Sequence, residues 1–484
     1  MVDASKERSV VAVVCLALIG SMAGATLAGM LAQLAHVVPF VPVALATVLG
    51  GGVACVVGRR RLAARLPDEL DGWFALRKIA HLVWMFAAVC AVVNTARISI
   101  FAMDPTRSWA SAFPPVPESA KHQCLPAYVR AGELAAWGRA DIWRQDRFQQ
   151  GEATDLTGLP AYLGDPYEYP PPFAMLPRAA VAMTHDYQLI RDAWFGLSAV
   201  GFLAIFVALA LWVRGRAGAT AVLLLPVVAL STPFVFTLQF GQAHALILGA
   251  AVLGMIQLAR DRTLSGAMLL AFATVTKLFP GFLLVFLAVR RRWRDLAYTL
   301  AALAALVALS ALVLGPATLG AFVTEQLPRI ASGEAFAFTE QNFDNLSLYG
   351  IAFKLNALGV DAGRPLAANL AWVWTVIVLA LTIVAARKPG DRTRDAILWL
   401  AILCLATLRS PYAPLYTSLG TLWLFSIATT PRGWNRGLVA FGWLLLMGFP
   451  PMGGPAINAL LSVPGQLVTL IVPLVALRSR SVAG

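Results

Sequence analysis

Asp104 stands one residue ahead of a proline, in the run Arg97-Ile98-Ser99-Ile100-Phe101-Ala102-Met103-Asp104-Pro105, where an apolar stretch gives way to polar sequence. A carboxylate at such an edge, partly stripped of water, suits general-base chemistry on a hydroxyl. It equally suits a cap for the segment after Pro105, or an ion pair with Arg97 or Arg107. A second group is Asp165-Pro166-Tyr167-Glu168-Tyr169-Pro170-Pro171-Pro172-Phe173. Its prolines enforce an extended path, and Tyr167 and Tyr169 offer flat faces with hydroxyls, a surface for sugars or for the headgroup level of a bilayer. A third comprises Gln239, Gly241, Gln242 and His244 with the distant Lys277, a lone cation in apolar sequence. Lysine at membrane depth either finds an anion, a lipid phosphate being a natural one, or snorkels to the interface. A fourth is Glu340-Gln341-Asn342-Phe343-Asp344-Asn345 with Arg409-Ser410-Pro411-Tyr412. Here Asn342 and Asn345 suit sugar hydroxyls and Arg409 suits a phosphate; a solvated loop and an interfacial anchor are the plainer alternatives.

These groups sit in a chain of 484 residues, 59% hydrophobic and only 13% charged. A soluble domain carries about 25% charged residues. Apolar runs of about 20 residues recur along the whole length, enough to cross a hydrocarbon core of about 30 Å. With no alternating barrel pattern, the backbone must satisfy itself as helices. The fold class is therefore an all-α polytopic membrane protein, one multispanning domain over 1–484. Spans are predicted near 10–35, 38–57, 80–102, 193–213, 217–238, 243–259, 297–322, 366–386, 395–408, 413–430, 437–450 and 457–477, about a dozen. The first is too long for a cleaved signal peptide and reads as a retained helix.

The net charge of +13 has a bland source. Arginine and lysine gather in short loops between apolar runs, as cytoplasmic loops do, and nucleic acid is not an expected partner. With those loops inside, both termini are cytoplasmic and the 90 residues of 103–192 form one large outer loop. All four polar groups then fall toward the outer face. Segment 263–289 has basic clusters at both ends and a break at Thr276-Lys277-Leu278-Phe279-Pro280-Gly281. At 27 residues it is too short for two spans, and a re-entrant hairpin with Lys277 at its tip fits better than one tilted span. Four of the five cysteines lie in apolar runs and only Cys124 in a loop, so neither a loop disulfide nor a metal-type spacing is expected.

The same residues carry a resemblance. Tyr128 in Ala127-Tyr128-Val129-Arg130-Ala131-Gly132-Glu133-Leu134, then Gly138 and Asp141-Ile142-Trp143, the Tyr167–Phe173 motif with Leu176-Pro177, Gly241-Gln242, and Lys277…Pro280 before Arg290-Arg291-Arg292-Trp293-Arg294 together resemble the family 87 glycosyltransferases. That group includes polyprenyl-phosphate-mannose-dependent mannosyltransferases, within the C-type glycosyltransferase superfamily. The likeness spans roughly 80–350. It implies an inverting transferase, without metal or cofactor, in a bacterial inner membrane. Such an enzyme moves a mannose-like hexose or a pentose from a polyprenyl-phosphate carrier to a lipid or glycan acceptor on the outer face. Where the family has an Asp about four residues ahead of its loop tyrosine, this chain has Cys124, with His122 nearby. The implied base is then Asp104 or His122, and Tyr128, Tyr167, Tyr169, Gln242, His244, Lys277, Asn342, Asn345 and Arg409 are the implied binding residues. Two other classes compete: a lipid-linked sugar flippase or transporter, against which stands the lack of an internal repeat, and a non-catalytic scaffold.

Overall fold

The computed structural model describes residues 6–71, 78–112, 124–149, 151–160, 166–339, 345–429, 436–446 and 455–478. Among these the regular structure is helical, and the β-bridge between Thr157 and Asp186 is isolated. The chain forms two compact units, Met1–Tyr167 with Ala174–Gly249, and Glu168–Phe173 with Ala250–Gly484.

The first unit holds α1 (Lys6–Leu34), α2 (Phe40–Ala63), α3 (Lys78–Met103), α4 (Cys124–Ala136), most of α5 (Pro171–Met183), α6 (Tyr187–Val213), α7 (Gly215–Leu230), α8 (Thr232–Gln239) and the start of α9 (His244–Ala259). Small residues bring α1 and α2 together. A Cβ added at Gly24 would lie 2.2 Å from the Ala46 carbonyl oxygen, and one at Gly50 would lie 2.4 Å from that of Gly20. Helices in lipid associate through such close backbone approach, since burying apolar surface gains little there. Asp186 caps α6, accepting from the amides of Gln188 and Leu189. One end of the unit is basic and clasped: Arg8 pairs with Asp68 (2.6 Å) and Asp71 (3.0 Å) just past the arginines that end α2. The other end gathers the loops around Phe40, Asp104–Ala112, Cys124 and Gln239–His244, with Arg107 over the Phe40 ring and Gln239 bonded to Ser111 and the Ala112 amide.

The second unit continues α9 and adds α10 (Thr263–Thr276), a 3₁₀ turn (Phe279–Gly281), α11 (Phe282–Val289), α12 (Trp293–Leu314), α13 (Pro316–Ala321), a π-helical turn (Phe322–Gln326), α14 (Leu327–Ser332), α15 (Leu348–Ala357), α16 (Arg364–Ala386), α17 (Arg392–Thr407), α18 (Leu419–Ala428), α19 (Arg436–Leu446) and α20 (Pro455–Leu477). α10 ends where the sequence breaks, and Lys277 leaves it with extended backbone. The two ends of 263–289 meet again. Thr263 donates to Asp295 at 3.0 Å, and Arg292 reaches Asp261, Asp295 and the Leu258 carbonyl.

Seven helices among the described residues are long and apolar enough to cross a membrane, eight if the bent pair α7–α8 counts as one span. The predicted span 217–238 is that pair, bent by 57° at Ser231, where the Ser231 hydroxyl and Pro233 start a new helix. Several other predicted spans are shorter helices. α17, at 16 residues, is about 24 Å long and buried from Ala396 to Thr407, so it has no lipid thickness to match.

Candidate functional site

In the first unit the candidate residues converge on α4. Its start is pinned by the amides of Cys124 and Leu125, which both donate to the Phe240 carbonyl. Its length from Cys124 to Ala135 is buried. The Tyr128 hydroxyl donates to Gln242 Oε1 at 2.8 Å, and Gln242 Nε2 reaches Cys124 Sγ at 3.3 Å. Tyr128 also stands edge-on to Tyr167 and Trp194, and Trp143 flanks Tyr167. Gly241 is required where it is. Its φ is +64°, and a Cβ there would fall 2.5 Å from that of Leu125. Glycine takes that φ without strain and leaves room for Leu125, which carries Gln242 under α4 and lets the Gly241 carbonyl accept from Trp194. Tyr128, Tyr167 and Gln242, distant in sequence, are thus brought together. His244 starts α9 and is buried.

Asp104 is 6% exposed at the end of α3. Its carboxylate accepts from the Thr106 hydroxyl and, at 3.2 Å, from Arg107 Nε. The ion pair with Arg107 is therefore formed, not one with Arg97. His122 lies outside the described residues.

A feature that the sequence reading missed stiffens α4. Glu133, 1% exposed, accepts from Arg130, from the Thr154 hydroxyl at 2.9 Å and from the Asp155 amide at 2.6 Å. Arg130, 2% exposed, also donates to the Arg147 carbonyl and lies over the Trp137 ring. The spacing of an acid three residues after a base was a visible signal; its burial was not. On the loop's exposed rim the Arg144 side chain bonds Asp146 and holds it below the ordinary carboxylate range.

In the second unit, Lys277 Nζ stands 5.3 Å from the Tyr169 ring centroid and 5.8 Å from that of Tyr416. Glu168, next to Tyr169, accepts from Gln326 on the π-turn. Turns of that kind recur at functional sites. Asn345 is wholly buried. Its Nδ2 donates to the Pro411 carbonyl, and its Oδ1 accepts from the amides of Ser347 and Ala413. It therefore stitches the loop before α15 to the one after α17. Asn342 lies outside the described residues. Arg409 donates to the Thr375 hydroxyl at 3.3 Å and covers the Trp372 ring, both on α16. No cluster of three metal-type side chains occurs among the described residues.

Neither a curated protein nor a solved structure shows significant similarity to the chain. The profile of glycosyltransferase family 87 matches residues 167–413, just over half of the sequence. The match begins later and ends later than the likeness read over 80–350, and it takes in Tyr167, Tyr169, Gln242, His244, Lys277, Asn342, Asn345 and Arg409, leaving Asp104, His122 and Tyr128 ahead of it. A multi-pass helical membrane protein, the chain belongs to glycosyltransferase family 87 and is a glycosyltransferase.

Proposed function

We propose that the protein transfers a neutral sugar, a hexose such as mannose or a pentose, from a polyprenyl-phosphate carrier to a lipid or glycan acceptor at the outer face of a bacterial inner membrane. The observation that carries this reading is the place of Lys277. It stands at a break in an apolar segment, one helix length from the clasp of Thr263, Arg292 and Asp295 and against the second tyrosine of the Tyr167–Phe173 motif. α10 has 14 residues, about 21 Å of rise, so the lysine is far from that clasp. Such a cation suits a phosphate that arrives on a lipid.

In this reading the chain crosses the membrane about a dozen times, with both termini cytoplasmic and 263–289 re-entrant. The hydrogen bond from Thr263 to Asp295 and the reach of Arg292 back to Asp261 support the hairpin, since they hold its two ends together. The transfer is inverting and uses no metal ion. Asp104, or His122, takes the acceptor hydroxyl proton, and the acceptor oxygen attacks the anomeric carbon on the face opposite the phosphate. The bond from that carbon to the phosphate oxygen breaks, the polyprenyl phosphate leaves with the electron pair, and Lys277 and Arg409 balance its charge. As base, Asp104 exchanges its 3.2 Å contact with Arg107 for the hydroxyl. Tyr128, Tyr167, Tyr169, Gln242, His244 and Asn342 are the residues assigned to sugar binding, and Asn345 is assigned to holding its own loop against the one after α17.

The test is a cell-free assay with radiolabelled polyprenyl-phosphate sugars and acceptor-bearing membranes from a deletion strain. The parent protein should consume donor, and Lys277→Met should lose donor binding while unfolding at the parent's temperature. A variant that binds polyprenyl phosphate as tightly as the parent would mean that the lysine merely snorkels.

A further inference from the structure

Among the described residues the rings of Tyr169 and Tyr416 face the Lys277 ammonium, and Tyr169 belongs to a motif singled out in the sequence. The other, Tyr416, lies three residues past the end of the family match. It is 6% exposed, on the 3₁₀ turn Leu415–Ser418. That turn is stiff. The Thr417 amide and hydroxyl both bond the Pro414 carbonyl at 2.8 Å, and the Ser418 hydroxyl bonds the Leu415 carbonyl. One residue upstream of Pro414, the Ala413 amide donates to Asn345. The ring is therefore held by backbone structure rather than by its own flexibility.

A ring face attracts a cation and fixes its position without cancelling its charge. A lysine with four rotatable bonds and no such clamp spends its time in many rotamers, most of them directed toward an aqueous interface. We propose that Tyr416 is a positioning residue for sugar transfer. With Tyr169 it fixes the Lys277 ammonium at the break after α10, charged and aimed, to receive the phosphate of the lipid-linked donor. The inference rests on the reading of Lys277 as the phosphate-binding residue. It adds that this binding depends on an aromatic ring at position 416 and not on that residue's hydroxyl.

The experiment measures binding of farnesyl phosphate to the full-length protein in nanodiscs, with inorganic phosphate as a headgroup-only probe. Loss of a partly desolvated ring–cation contact should weaken farnesyl phosphate binding about 2- to 30-fold in Tyr416→Leu. Tyr416→Phe keeps the ring and should stay within about twofold of the parent. At farnesyl phosphate concentrations high enough to load Lys277→Met, adding Tyr416→Leu should cause no further loss, an outcome that a merely structural role for the tyrosine would not give. Should Tyr416→Leu unfold, Tyr416→Met, of similar bulk, carries the same comparison. Inorganic phosphate should follow the same ranking if the headgroup alone is read. The proposal is overturned if Tyr416→Phe falls as far as Tyr416→Leu, if the Tyr416 and Lys277 effects multiply, or if Tyr416→Leu binds like the parent. If Lys277→Met itself binds like the parent, the phosphate reading fails first and this inference with it.

Discussion

The buried pair of Arg130 and Glu133 should decide whether α4 and the loop that follows it stay folded. Glu133→Ala removes three bonds at once, those from Arg130, the Thr154 hydroxyl and the Asp155 amide. Hydrogen bonds to a charged group contribute about 1.5–3 kcal/mol each, and breaking a buried ion pair from one side costs about 3–5 kcal/mol. Arg130 is not left bare, because the Arg147 carbonyl at 3.2 Å and the more distant Glu152 at 3.9 Å still face it. The lower end, about 3 kcal/mol, is therefore expected. Glu133→Gln keeps acceptors for Thr154 and the Asp155 amide and should cost less than Glu133→Ala.

A local loss of that size raises the open population of the loop about a hundredfold. Limited proteolysis in nanodiscs reads it as faster cleavage within 124–160, since cleavage follows the open fraction when reclosing is fast. The sharper comparison is the double change Arg130→Met with Glu133→Leu. Apolar side chains of similar bulk leave no orphaned charge, so the double variant should be nearer the parent than either single truncation. If Glu133→Ala is cleaved at the parent's rate, the pair does not hold the loop and the reasoning from its burial is wrong.

Gly241→Ala forces a Cβ at φ +64° against Leu125 and should destabilise by about 1–3 kcal/mol; a variant that unfolds at the parent's temperature would show that the turn relaxes freely. Asp104→Asn should slow turnover about a hundred- to ten-thousand-fold with donor affinity little changed. Near-normal turnover in Asp104→Asn, with loss in His122→Ala, assigns the base to His122. Reporter fusions at both termini should be active only on the cytoplasmic side, and external activity at either end overturns the proposed topology.

Much of the architecture was legible because hydrocarbon punishes exposed polar backbone so heavily that long apolar runs have one solution. The runs near 10–35, 80–102 and 193–213 are α1, α3 and α6, and the Pro-Gly break ends α10 at Thr276, as expected. What composition does not reveal is which apolar helices face lipid. α17 reads like a span but is surrounded by protein, so its length answers to packing rather than to bilayer thickness. The bend at Ser231 was hidden for a related reason: Pro233 at the first turn of α8 is compatible with helix, and only the Ser231 cap shows that a new helix starts there. In the site, Gly241 and Tyr128 were visible as types, but their meeting through Gln242 depends on a close approach that no spacing encodes.

Asn345 and Lys277 separate scaffold from proposed chemistry in the second unit. An asparagine amide offers two donors and two acceptor sites. Asn345 uses both acceptor sites on the amides of Ser347 and Ala413 and one donor on the Pro411 carbonyl. A buried side chain so engaged has little left for a sugar hydroxyl, and replacing its partners would leave backbone groups unsatisfied at about 1–3 kcal/mol each. Its work is to hold 345–348 against 408–413, together with the amides of Leu346 and Leu348, which bond the carbonyls of Ala413 and Leu408. Lys277 stands differently. Its ammonium lies over the rings of Tyr169 and Tyr416, on a side chain that carries a full charge. The first arrangement is complete without a ligand, and it fixes the turn from which Tyr416 projects. The second is a cation held against ring faces at a break in an apolar segment, where the proposed lipid phosphate would meet it, and so the lysine rather than the asparagine is the residue on which the donor reading depends.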